Sequence, residues 1–234
     1  MPIQPTVFKN GVSTNSEGVA NWFPYPDDAL FHQLFDDFNH VDINNEWEHL
    51  FTGFGAGAFQ GNGRGGILNM LNSPNIGDIH MIQTRANCFS PRELDNKRFY
   101  IRISLLSPDW INHGTLIGLA DPGLGALTAA NKFFFRSPPG TDAFTFLSER
   151  NGGSTWVSPI LVTGIVPNQI FNLDMFLDEE DIGYFYVNGK LVHKEVIPAD
   201  AIPDDTITPM IYGDNGGAVS QELYTDYFHI AEER

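Results

Sequence analysis

The sequence predicts an all-β protein, a sandwich of two antiparallel sheets, on three observations. Residues 183–192 (Gly-Tyr-Phe-Tyr-Val-Asn-Gly-Lys-Leu-Val) set two apolar runs around an Asn-Gly dipeptide. A two-residue type I′ turn needs positive φ at both central positions, which Asn and Gly tolerate best. The register that follows sets Tyr186 opposite Leu191 and Phe185 opposite Val192. The two pairs then lie on opposite sides, so the hairpin is expected to be buried on both faces under a second layer. Second, 99–105 and 171–177 alternate apolar and polar residues, each predicting a long central strand with one core face. Third, short apolar runs follow one another to the C-terminus with Gly, Pro and Asn between them.

Taken in order, residues 1–28 are polar and rich in Pro, Asn, Ser and Gly, with isolated aromatics at Phe8, Trp22, Phe23 and Tyr25. Such a segment buries too little surface to fold alone. It is expected to be an extended arm that packs on the domain or, by preference, on a partner. Pro26-Asp27-Asp28 then offers a helix start, and Leu30, Phe31, Leu34, Phe35 and Phe38 recur at helical spacing, so a short amphipathic helix or turn is expected near 28–36. Strands follow at 48–52, 56–60, 66–71, 79–84, 99–106, 115–119 and 132–136. Further strands follow at 143–147, 155–157, 170–177, 183–187, 190–196, 207–212 and 222–231. No repeat or internal boundary interrupts this run, so residues 29–234 read as one domain.

The chain has 234 residues, 42% of them hydrophobic and 13% aromatic, which supports a sizeable core. Its nineteen Phe residues favour strands, because aromatics suit a half-buried pleated surface. A formal charge of −16 with no basic run argues against nucleic acid and against anionic membranes as partners. Cys88 is the single cysteine, so no internal disulfide forms, and with no nearby His it reads as an inert thiol. Met-Pro-Ile-Gln-Pro has neither a basic nor an apolar signal region, and no apolar run approaches the length of a membrane span. The sequence therefore predicts a soluble chain made in the cytoplasm.

At this point the chain resembles the concanavalin A-like lectin/glucanase jelly-roll superfamily over roughly residues 36–231. The resemblance lies in the order of 170–177, the Asn188-Gly189 hairpin, Thr208-Pro209-Met210-Ile211-Tyr212, and a last strand with Asp226-Tyr227. These motifs are structural and imply fold rather than activity. A narrower resemblance links Phe35-Asp36-Asp37-Phe38, Trp47, the glycine-rich 53–57 and Gly65-Gly66-Ile67-Leu68 to virion structural proteins of tailed phages. That resemblance implies a capsid decoration or cement protein, assembled in the host cytoplasm and placed on the capsid surface. Its partners would be the major capsid protein and further copies of itself, in a trimer suited to three-fold positions. Phe8, Trp22, Phe23 and Tyr25 would be the assembly anchors.

Enzymatic and metal chemistry fit the residues less well. Retaining jelly-roll glucanases carry Glu-x-Asp-x-Glu or Glu-x-Asp-x-x-Glu on one strand, where alternation puts the carboxylates on one face. Glu93-Leu94-Asp95 begins such a pattern, but Lys97 and Arg98 follow it; Glu179-Glu180-Asp181 reads as a charged hairpin loop. No catalytic residue is assigned. For a structural calcium, Asp214-Asn215-Gly216-Gly217 and Asp121-Pro122-Gly123 each offer one or two ligands, fewer than the ion takes, and both read as turns. The seven His residues form no close ligand pair, so zinc is not expected, nor any other cofactor. The glycine-rich 61–66 lacks the Lys-Ser/Thr ending of a phosphate cradle. In the alternative reading, a lectin-like module, Trp110 and Trp156 are the sugar-stacking candidates, because polar loop residues flank them. For both, capping the core at the sandwich rim is the preferred reading.

Overall fold

The computed structural model describes residues 7–9, 12–14, 25–26, 31–38, 46–52, 58–60, 67–85, 89–92, 97–123 and 128–233, and contains no helix among them. Three short strands, β1 (Val7–Lys9), β2 (Val12–Thr14) and β3 (Tyr25–Pro26), pair in that order into a small antiparallel sheet within the N-terminal segment. The two large sheets take up β4 (Phe31–Asp36), β5 (Trp47–Thr52), β6 (Ala58–Gln60), β7 (Leu68–Leu71) and β8 (Ile79–Thr84). They continue through β9 (Phe99–Leu106), β10 (His113–Ala120), β11 (Lys132–Ser137), β12 (Thr145–Arg150) and β13 (Ser154–Val157). The last five strands are β14 (Phe171–Leu177), β15 (Ile182–Val187), β16 (Lys190–Val196), β17 (Thr208–Asn215) and β18 (Glu222–Glu233).

Two antiparallel sheets stack. One has seven strands in the order β13-β12-β11-β10-β17-β8-β5. The other has eight, in the order β16-β15-β14-β9-β18-β7-β6, with β4 also on β18. β7 pairs with residues 222–225 of β18 and β4 with residues 228–233, so these two strands lie end to end along one side of it.

Alternation explains what lies between the sheets. Ile101, Ile103 and Leu105 of β9 and Leu173, Met175 and Leu177 of β14 all point inward to one core. Phe146 of β12 sits at the junction, with ring centroids 4.9 Å from Phe133, 5.0 Å from Phe135 and 5.3 Å from Phe185. The contacts with Phe133 and Phe135 are edge-to-face, which sets each ring's positive rim on its neighbour's negative face. Each such buried ring stabilises the fold by about 1.5–3 kcal/mol. Every predicted strand from residue 48 onward is present, most within two residues of its expected ends.

Three expectations need correction. Residues near 28–36 do not make a helix: Phe31–Asp36 is strand β4, antiparallel to β18. The long C-terminal strand offers a free ladder there, and tertiary pairing overrides a helical spacing of apolar residues. The hairpin turn forms as predicted, with φ of 51° at Asn188 and 74° at Gly189, and Tyr186 pairs with Leu191. Phe185, however, pairs with His193 and not Val192, because the register shifts between Phe185 and Tyr186. Nor is the hairpin buried on both faces: β16 is the sheet edge, and Leu191, Val192 and Val196 are exposed.

Candidate functional site

The outer face of the eight-stranded sheet carries the most organised set of polar and aromatic side chains. Because Leu173 and Met175 face the core, Asp174 between them faces outward. The register then runs one row of outward residues across five strands: Tyr186, Asp174, Arg102, His229 and Phe35. A neighbouring row holds Asn172, Ser104 and Tyr227.

At the centre, Arg102 Nε donates to the Tyr227 hydroxyl at 2.7 Å, and that hydroxyl donates to Asn172 Oδ1 at 3.0 Å. The Arg102 guanidinium also lies 5.4 Å from the Tyr227 ring centroid, a cation–π contact. Beneath it, Asp174 is 0% exposed and its Oδ1 lies 3.3 Å from Arg102 Nε. Arg102 Nε has one hydrogen and gives it to Tyr227, so the contact with Asp174 is an ion pair without a hydrogen bond. Burial pushes the Asp174 carboxyl up to about 8, against the pull of Arg102. At the far end of the row, Phe35 is 55% exposed, stacks on Tyr227 with centroids 6.3 Å apart, and meets the edge of His229.

A second surface follows one margin of the sandwich. Of the eleven large apolar residues that stand exposed among the described residues, seven (Val157, Ile160, Val166, Ile170, Leu191, Val192 and Val196) belong to β13, the segment after it, or β16. Trp156 stacks on Phe185 at 6.0 Å and so joins the β13 edge to the hairpin. A hollow of about 180 Å³, lined by Val162, Ile165, Val166, Ile170 and Val187 among others, joins segment 158–170 to the hairpin tip at Asn188. Exposed apolar residues gathered this way form a surface of the kind that partners cover.

The sequence-predicted residues fall apart in space. Phe8 lies on β1 and Tyr25 on β3, while Trp22 and Phe23 fall outside the described residues. Trp110 is 1% exposed and edge-packed against Phe144 and Phe171, so it is a core residue. Trp156 is half-buried, with one face against Phe185. Cys88, Glu93, Leu94, Asp95 and the glycine-rich 61–66 fall outside the described residues.

In the two turns considered for calcium, Asp121 and Asn215 use their oxygens locally, while Asp214 Oδ1 is buried without a hydrogen-bond partner. Asp121 Oδ2 accepts from the Ala130 and Asn131 amides at 2.7 and 2.9 Å. Asn215 Oδ1 accepts from the Gly217 amide at 2.8 Å. Among the described residues, no group of three or more His, Cys, Asp or Glu side chains is placed to hold a metal ion. None of the described strands carries the alternating three-carboxylate pattern. A His49–His80 pair, His80 buried and His49 half-buried, with Nε2 to Nε2 at 2.9 Å, lies at the inner side of β5 and β8. Burial, with His49 as a second cause, pulls His80 down to about 3.

Sequence reasoning passed over the outer-face row although its signal was present. The polar positions of the two alternating strands, Arg102 and Asp174, were visible; that they stand opposite each other depended on which strands pair.

No family model and no curated protein matches this sequence. Solved structures do. The carbohydrate recognition domain of Emp47p superposes with a TM-score of 0.62 at 9% identity, over 90% of this chain and 100% of that one. A prokaryotic β-1,3-1,4-glucanase (lichenase) from a mouse hindgut metagenome gives 0.58 at 12% identity, over 86% and 98%. A protein of unknown function from Shewanella oneidensis MR-1 gives 0.59 at 11% identity, over 87% of each chain. At such identities the likeness carries fold alone. The chain is an all-β, concanavalin-like jelly roll of two antiparallel sheets.

Proposed function

We propose that this protein is a non-catalytic virion structural protein that decorates a phage head and stabilises it by binding the major capsid protein. The observation that carries the reading is the exposed apolar margin formed by β13, segment 158–170 and β16. An apolar margin on a chain of net charge −16 suits association through buried area rather than charge attraction. The motif order of residues 35–68, from Phe35-Asp36-Asp37-Phe38 through Trp47 to Gly65-Gly66-Ile67-Leu68, supplies the virion class. No reacting group is required: apolar residues buried on a neighbouring subunit brace the joint, and residues 1–28 contribute Phe8, Trp22, Phe23 and Tyr25 as further anchors. Assembly takes place in the host cytoplasm, and a closed trimer matches a three-fold position on the shell.

The test is co-sedimentation with heads of the phage that carries the gene. Wild-type protein pellets with heads, whereas a Leu191→Ser, Val192→Ser, Ile160→Ser variant that keeps its fold stays in the supernatant. Retained pelleting by that variant contradicts the role of the margin, and a wild-type protein that never pellets contradicts the reading itself.

A second reading, a carbohydrate-binding module used in host attachment, is supported by the likeness in fold to the Emp47p carbohydrate recognition domain. Specific retention of a glycan on an array, without cleavage, tests it.

A further inference from the structure

We infer that the strip of the outer face running from Phe35 to Asn172 is a binding site for a neutral oligosaccharide. The inference rests on the carbohydrate-binding reading and is independent of head binding. It places the sugar on neither tryptophan picked out in the sequence.

Four features carry it. Phe35 presents a ring that is 55% exposed, braced by stacking on Tyr227 and by the edge of His229. A braced, exposed aromatic face takes the C–H face of a sugar ring at little conformational cost. Beside it are groups that suit hydroxyls. Gln33 Oε1 and His229 Nε2 lie 3.0 Å apart on β4 and β18, and Asn172 and the Tyr227 hydroxyl are hydrogen-bonded at the other end of the strip. Between Asn172 and Tyr227 the register puts Ser104, whose hydroxyl is buried and has no hydrogen-bond partner. A buried hydroxyl left without a partner is costly, and a ligand hydroxyl seated above it removes that cost.

Length and charge narrow the ligand. From β4 across β18 and β9 to β14 the strip covers three strand spacings, about 14 Å, which fits a short chain of sugars better than one. Arg102, the cation in the strip, gives its Nε hydrogen to the Tyr227 hydroxyl, and the chain carries −16 overall. Acidic glycans are therefore repelled, and the neutral class remains.

The experiment is an array holding neutral and acidic glycans, followed by calorimetric titration of the best neutral hit against variants. Phe35→Ala is expected to weaken binding about tenfold, the size of one aromatic contact. Tyr227→Phe and Ser104→Ala weaken it several-fold, Phe35→Trp retains it, and Trp156→Ala leaves it unchanged. Binding only to acidic glycans, binding to none, or a neutral hit indifferent to Phe35→Ala overturns the site. Co-sedimentation of Phe35→Ala with phage heads at the wild-type level separates failure here from failure of the virion reading.

Discussion

Asp174 lies fully buried 3.3 Å from Arg102 Nε, yet the single Nε hydrogen points to Tyr227 and neither carboxylate oxygen receives a hydrogen bond. A charge held this way is paired but not solvated, which is why burial wins over the neighbouring cation and the carboxyl rises to about 8. Below that value the carboxyl is neutral, and the Arg102 guanidinium is held by its hydrogen bond to the Tyr227 hydroxyl and its place over the Tyr227 ring.

The raised Asp174 carboxyl gives the fold a pH dependence of known sign. Between its unfolded value near 4 and its folded value of about 8, the folded state holds the extra proton, so stability falls as pH rises across that window. Asp174→Asn removes the titrating group. Urea unfolding at pH 5 and pH 8.5 is expected to show a smaller loss at the higher pH in this variant than in the wild type. An unchanged difference contradicts the assignment.

His80 and His113 act in the opposite direction. Burial pulls them down to about 3 and about 4, so the unfolded chain takes up protons first as pH falls below the ordinary His value of about 6.5. Stability is present above 6.5 and drains away on acidification towards 4. In the Asp174→Asn background, which removes the opposing carboxyl, unfolding curves between pH 7 and 4 are expected to shift steadily to lower urea; a flat profile across that range counts against buried neutral imidazoles.

Gly118 admits no side chain. It sits in β10 at φ 152°, where a Cβ would come 2.4 Å from the Phe133 carbonyl oxygen and 2.6 Å from Phe134 Cα, both backbone atoms of the paired strand. Gly118→Ala is expected to cost about 2–3 kcal/mol in chemical denaturation. Gly140→Ala, at φ 87° with nothing near, costs about 1 kcal/mol. Equal costs for the two would contradict the close approach.

Phe146 bridges the two sheets through Phe133, Phe135 and Phe185. Phe146→Ala is expected to lower unfolding free energy by about 3–5 kcal/mol, from lost transfer energy and the cavity left behind. Val196→Ser on the exposed margin is expected to stay within about 0.5 kcal/mol of wild type. Denaturant midpoints at fixed slope separate the two.

The sequence by itself determined what depends on local periodicity. Alternation along 99–105 and 171–177 declared two central strands, and Asn188-Gly189 declared its turn, because side-chain direction and positive φ are set by neighbours in the chain. Only the tertiary structure decided which strands meet. It drew Phe31–Asp36 into a strand, because β18 offered a ladder that local spacing cannot reveal. It moved Phe185 onto His193 through a shift that the turn alone does not specify. It also set Asp174 against Arg102 and Phe35 beside Tyr227, pairs 72 and 192 residues apart in sequence, and it sent Trp110 into the core. Contacts of that separation are written in the order of strands within a sheet, a property of the whole chain.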